Sequence, residues 1–120
     1  MELEVTMVTL DYRDKRPIYE QVIEQIQKLI VSEVLKPDEK LPSVRNLAME
    51  ISINPNTIQR AYMQLEKDGW IYTVKGKGNF VAEKSSWLSG EKSMALESLK
   101  KEIAKAKALG ITKDEIIGLL

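Results

Sequence analysis

LPSVRNLAMEISINPNTIQRAYMQL, residues 41–65, is the stretch on which the fold turns. It reads as two short helices joined by a tight turn. Ser43 stands directly before the apolar positions Val44, Leu47 and Ala48, where its hydroxyl would satisfy a free backbone N–H as an N-cap. Asn54 and Pro55 open the second helix in the same manner, with an Asn cap and a proline at the first helical position. Ile58, Ala61, Tyr62 and Leu65 recur at i, i+3, i+4 and i+7, which is one face of that helix. Asn56, Gln59, Arg60 and Met63 keep the same spacing two residues out of phase, so they lie on the opposite face. Asn and Gln bond adenine edges in bidentate fashion and Arg bonds guanine, so this face suits a DNA major groove. The pattern predicts a helix-turn-helix with its recognition helix over 55–67 and helix two over 44–51. Any helix facing water is polar outside, however, and this face alone does not decide the matter.

The segment C-terminal to the helix decides it. Asp68-Gly69 closes the helix with the glycine that left-handed C-caps favour. WIYTV then reads as a strand, KGKG as a turn and NFVA as the return strand. A hairpin directly after a helix-turn-helix is a wing, here over 70–82. Its tip carries Lys75 and Lys77 beside glycines that let backbone approach a phosphate closely. KGKGNF is no nucleotide loop: it lacks a closing Lys-Ser/Thr pair and sits between strands instead of leading into a helix.

Composition narrows the function. The 120 residues allow one modest core plus an appendage, and contain neither cysteine nor histidine. Disulfides, thiolate metal sites and the commonest general base are therefore absent, and neither an enzyme nor a cofactor or metal site is expected. No apolar run approaches a membrane span, and the start MELEVTMVTLDY lacks the pattern of a signal peptide, so the expected location is the cytoplasm. Eighteen basic and eighteen acidic residues cancel, whereas DNA-binding domains are often strongly basic. The distribution matters more than the sum: 69–82 holds two lysines and no acid, and 41–65 holds two arginines against Glu50.

Outside the central stretch, LEVTMVTL at 3–10 alternates as a strand would. Helix one is expected over 17–34, opened by Pro17 and striped by Ile18, Val22, Ile26 and Leu29, with Tyr19 and Gln25 as surface or packing residues. Residues 36–40, KPDEK, are a turn by composition. Arg45, two residues past the cap, suits a phosphate, and equally suits plain solvent exposure. SSWLSG at 85–90 reads as a linker that ends a winged domain over 1–84. Beyond it lies a helix near 91–108, with Leu96, Leu99, Ile103 and Ala106 at steps of three and four, stopped by Gly110. Thr112 and Glu115 form a capping-box pattern before a last short helix carrying Ile116, Ile117 and Leu119. Two such helices cannot form a core alone. The expectation is that 85–120 is a dimerisation tail, with packing on the chain's own domain as the other possibility.

The run from Leu35 to Val81 resembles the winged-helix domain of GntR-family bacterial transcription regulators. The resemblance rests on LPS-x-R at 41–45, N-x-x-T-I-x-R-A-Y at 54–62, LE-x-x-G at 65–69 and G-x-G-x-F-V at 76–81, and RPIYEQV at 16–22 extends it. It implies a mostly α fold with a small β-hairpin and DNA contacts by Ser43, Arg45, Asn54, Asn56, Thr57, Gln59 and Arg60. In the wing it implies contacts by Lys75, Gly76 and Lys77. Two positions depart from the family: Asp38 stands where glycine is usual, and Gln59 where many members have arginine. The short helical tail resembles the YtrA-type subgroup, which implies a homodimeric regulator, often a repressor, on double-stranded DNA. No effector is implied by these residues. The rival reading is a winged helix used as a protein-interaction module, for which the outer face of helix three should be apolar.

Overall fold

The computed structural model describes residues 8–120, divided into one unit that ends at Trp87 and a second that starts at Leu88. The described residues are mostly α-helical with one small antiparallel hairpin, as expected. The order is α1 (Ile18–Val31), α2 (Val44–Glu50), α3 (Pro55–Lys67), β1 (Ile71–Val74), β2 (Gly78–Val81), α4 (Lys84–Ala108) and α5 (Lys113–Ile117).

In the first unit α3 is the hub, packing on α1, α2 and β1. Its stripe Ile58, Ala61, Tyr62 and Leu65 is buried against Val22 and Ile26 of α1 and Leu47 of α2, with Trp70, Ile71 and Val81 from the wing completing the core. Each large apolar side chain so buried stabilises by roughly 1.5–3 kcal/mol. The caps fall where the sequence places them. Asn46 N–H donates to Ser43 Oγ at 3.1 Å, and Asn56 N–H donates to Asn54 Oδ1 at 2.8 Å. Tyr62 hydroxyl donates to the Pro42 carbonyl at 2.8 Å, tying α3 to the turn that starts α2, and burial pushes its pKa up.

Helix one is shorter than the expected 17–34. Pro17 is its N-cap rather than its first residue, and Ser32 is its C-cap. Glu33 takes φ 62°, a left-handed conformation that no helix continues through, so the apolar rhythm outlasts the helix. Of the strand-like run 3–10, residues 3–7 lie outside the described residues, and 8–10 form no strand. This segment is fastened to α1 by two glutamines. The Gln25 amide brackets Thr9, donating to its carbonyl and accepting from its N–H. The buried Gln21 accepts from Asp11 N–H at 3.0 Å and donates to the Asp11 carbonyl at 3.2 Å.

The wing pairs Ile71 with Val81, Tyr72 with Phe80, Thr73 with Asn79 and Val74 with Gly78. The turn before α2 forms a third edge on β2: Asp38 N–H donates to the Val81 carbonyl at 2.8 Å, Val81 N–H to Glu39 at 2.9 Å and Leu41 N–H to Asn79 at 2.9 Å. Asp38 sits at φ 68°, which explains why glycine is usual there. Asp tolerates this region through local polar bonding, and its carboxylate accepts from Tyr72 hydroxyl at 2.7 Å.

The expected linker at 85–90 is corrected: these residues are the first turns of α4. Trp87 is buried and stacks on Trp70 with ring centroids 4.3 Å apart. Gly69 is required here, because a Cβ would stand 2.3 Å from the Ser86 carbonyl oxygen and its φ is 86°. Compositional polarity at 85–90 hid one anchoring aromatic. The winged unit accordingly runs to Trp87 rather than stopping at residue 84.

In the second unit α4 continues to Ala108 and Gly110, at φ 83°, breaks the chain direction. The capping box is formed: Glu115 N–H donates to Thr112 Oγ1 and Thr112 N–H to Glu115 Oε1, both at 3.2 Å. Leu119 lies beyond α5, past the C-cap Gly118, and not in the helix as its spacing suggested.

Candidate nucleic-acid interface

Three local structures carry the residues singled out in the sequence. The first is the outward side of α3. Asn56, Gln59, Arg60 and Met63 are exposed, and with Gln64 and Lys67 they line one shallow groove along the helix. The face is amide and guanidinium chemistry with one thioether, unlike an apolar docking surface. Thr57 is half-buried beside it, and the Asn54 side chain is engaged as the helix cap. The second is the start of α2, where Ser43 caps the helix and Arg45 is exposed on its first turn. The third is the wing tip, where Lys75, Gly76 and Lys77 are exposed and Gly76 takes φ 78°.

Sequence reasoning left out one further cation. Lys40, counted only as part of a turn, forms a β-bridge with Phe80, and its side chain lies across Gly78 close enough that a Cβ there would meet its Cε at 2.9 Å. This adds Lys40 to the wing lysines. No local signal in the sequence reveals it, because the contact spans the whole helix-turn-helix.

Four cations among the described residues sit in ion pairs, none of them on these three surfaces. Arg13 pairs with Asp11, Arg16 with Asp14 and Glu24, Lys28 with Glu24, and Lys100 with Glu97. Hydrogen bonds from Lys28 and Arg16 hold the Glu24 carboxyl below its ordinary range, and Arg16 does the same for Asp14. Among the described residues, Lys40, Arg45, Arg60, Lys75 and Lys77 have no carboxylate partner. Some of the chain's acids thus pair with cations outside these surfaces, while the α2, α3 and wing cations stay free for an anion. Arg60 has one neighbour of another kind: its guanidinium carbon lies 3.8 Å from the ring centroid of Tyr19 on α1. Among the described residues, no helix is long and apolar enough to cross a membrane.

Known proteins share both sequence and fold with this chain. The chain is 40% identical over 112 residues to the HTH-type transcriptional repressor YtrA of Bacillus subtilis (strain 168), spanning 92% of this chain and 86% of that protein. A crystal structure of a transcriptional regulator from Oenococcus oeni superposes with TM-score 0.78 at 32% identity, covering 92% of each chain. The DNA-binding domain of AraR, solved in complex with operator ORX1, superposes with TM-score 0.54 at 34% identity, over 61% of this chain and 87% of that one. The family model of bacterial regulatory proteins of the gntR family matches residues 18–81, from the start of α1 to the end of the wing. With its winged helix and these relatives, the chain belongs to the gntR family of bacterial regulatory proteins, and is a DNA-binding transcription regulator and not an enzyme.

Proposed function

We propose that this regulator is a repressor that binds a palindromic operator as a homodimer in the cytoplasm. The observation that carries the reading is the polar outward side of α3 flanked by cations that no carboxylate neutralises among the described residues. In this reading Asn56, Gln59 and Arg60 meet base edges, while Ser43, Arg45, Asn54 and Thr57 hold phosphates of one half-site. Lys75, Gly76 and Lys77 hold the flanking backbone. The names of its relatives support repression, and the operator complex of the AraR domain supports contact with duplex DNA. Dimerisation through 88–120 is supported by Leu96, Leu99 and Leu119, which are 58%, 54% and 86% exposed. Ile103 and Ile116 are half-buried beside them. Helices that leave such groups in water gain by pairing with a second copy.

Selection of bound duplexes from a random pool, using the full chain, tests the reading. The expected result is an inverted repeat whose half-sites lie about one helical turn, roughly 10 bp, apart. A single asymmetric motif would remove the palindrome and the dimer on DNA. Failure to enrich any sequence would favour the interaction module.

A further inference from the structure

Arg60 is the only guanidinium on the outward side of α3, and it does not hang free. Tyr19, the second residue of α1, places its ring under the guanidinium at 3.8 Å from the centroid. Tyr19 is half-buried while Arg60 is exposed, so the ring is the fixed member of the pair. At 3.8 Å the guanidinium is close enough to stack on the ring through its flat face, a geometry arginine favours on aromatic rings. Recognition of guanine uses a different part of the same group: two N–H bonds in the guanidinium plane, aimed at O6 and N7. Face and edge are orthogonal, so the ring and a base can engage Arg60 together.

We infer that Tyr19 is a positioning residue for base readout: it holds Arg60 flat at the edge of α3 and so fixes which base pair that arginine reads. The inference rests on the proposed role of Arg60 as a base contact. An arginine on a helix surface samples many rotamers, and each must be given up when a bidentate pair forms. A ring beneath it removes that freedom before DNA arrives, and shields one face from water. The opposite arrangement, in which the stack is a resting place that Arg60 must leave, predicts that removing the ring tightens binding.

The test uses the full chain as wild type, Arg60→Ala, Tyr19→Leu, Tyr19→Phe and the Tyr19→Leu/Arg60→Ala double variant. Each is titrated against the selected duplex, the same duplex with single base pairs changed, and a random duplex. Arg60→Ala should lose discrimination at one base pair of each half-site. Tyr19→Leu should lose discrimination at that same base pair by roughly three- to thirtyfold, with random-duplex affinity unchanged. Tyr19→Phe should keep it, and Tyr19→Leu should add nothing in the double variant. A uniform loss on all duplexes, a gain in affinity, or additive effects in the double variant would overturn the inference. Should Arg60→Ala alter no base preference, the reading of Arg60 falls and the inference with it. If only Tyr19→Leu is silent, the inference alone falls. Where Tyr19→Leu does not fold, the wild-type chain decides: Arg60 side-chain protons should stay ring-current shifted when the selected duplex is added, and loss of that shift would overturn the inference.

Discussion

Asp38 shows how one backbone angle decides what a residue costs. At φ 68° an L side chain is strained, and the same carboxylate accepts the Tyr72 hydroxyl at 2.7 Å. Asp38→Ala keeps the strain and loses the bond, which together should destabilise the fold by about 1.5–3 kcal/mol. Asp38→Gly loses the bond but releases the strain, so it should stay within about 1 kcal/mol of wild type. Urea denaturation of both variants measures this, and equal losses would show that the angle is not the determinant. Arg45 and Lys77 differ in kind, since each is exposed with no carboxylate partner among the described residues. Alanine at either should weaken binding to every duplex and reduce the salt slope of log K by about one. Slopes unchanged in both variants would take the two residues out of the phosphate contacts.

At the scale of elements, the features legible in the sequence were those encoded within a few residues. The caps Ser43, Asn54 and Thr112 each bond a backbone N–H two or three residues away, so their spacing was enough. The α3 stripe follows from a period of the chain itself, and the hairpin from two apolar runs around a glycine-rich turn, although Gly78 of the expected turn pairs with Val74 in the sheet. Contacts between distant segments were not legible: Gln21 to Asp11, Lys40 across Gly78, Tyr19 under Arg60 and Trp87 on Trp70 all depend on the finished fold. The end of α1 was missed for a different reason, because Glu33 carries no sequence sign of its left-handed angle. The Trp87 stack has a measurable consequence. A chain cut after Lys84 loses that ring and uncovers Trp70, and should be about 3–5 kcal/mol less stable than one cut after Gly90. Thermal unfolding of the two truncated chains compares them directly, and equal stability would place Trp87 outside the folding unit.

In the whole molecule, the proposed function has the winged unit read one half-site and the helical tail pair with a second copy. The winged unit has its own core of Val22, Ile26, Leu47, Ile58, Leu65 and Val81, so it should fold without the tail. The tail has no such core: Leu96, Leu99, Leu109, Ile117 and Leu119 are exposed in the single chain. Two linked half-site contacts raise affinity through effective concentration, which a monomer forfeits. Sedimentation of the full chain beside the chain cut after Gly90, both at micromolar concentration, tests this most directly. The expected result is a dimer for the full chain and a folded monomer for the shortened one. A full chain that sediments as a monomer, or a shortened chain that remains a dimer, would contradict dimerisation through the tail.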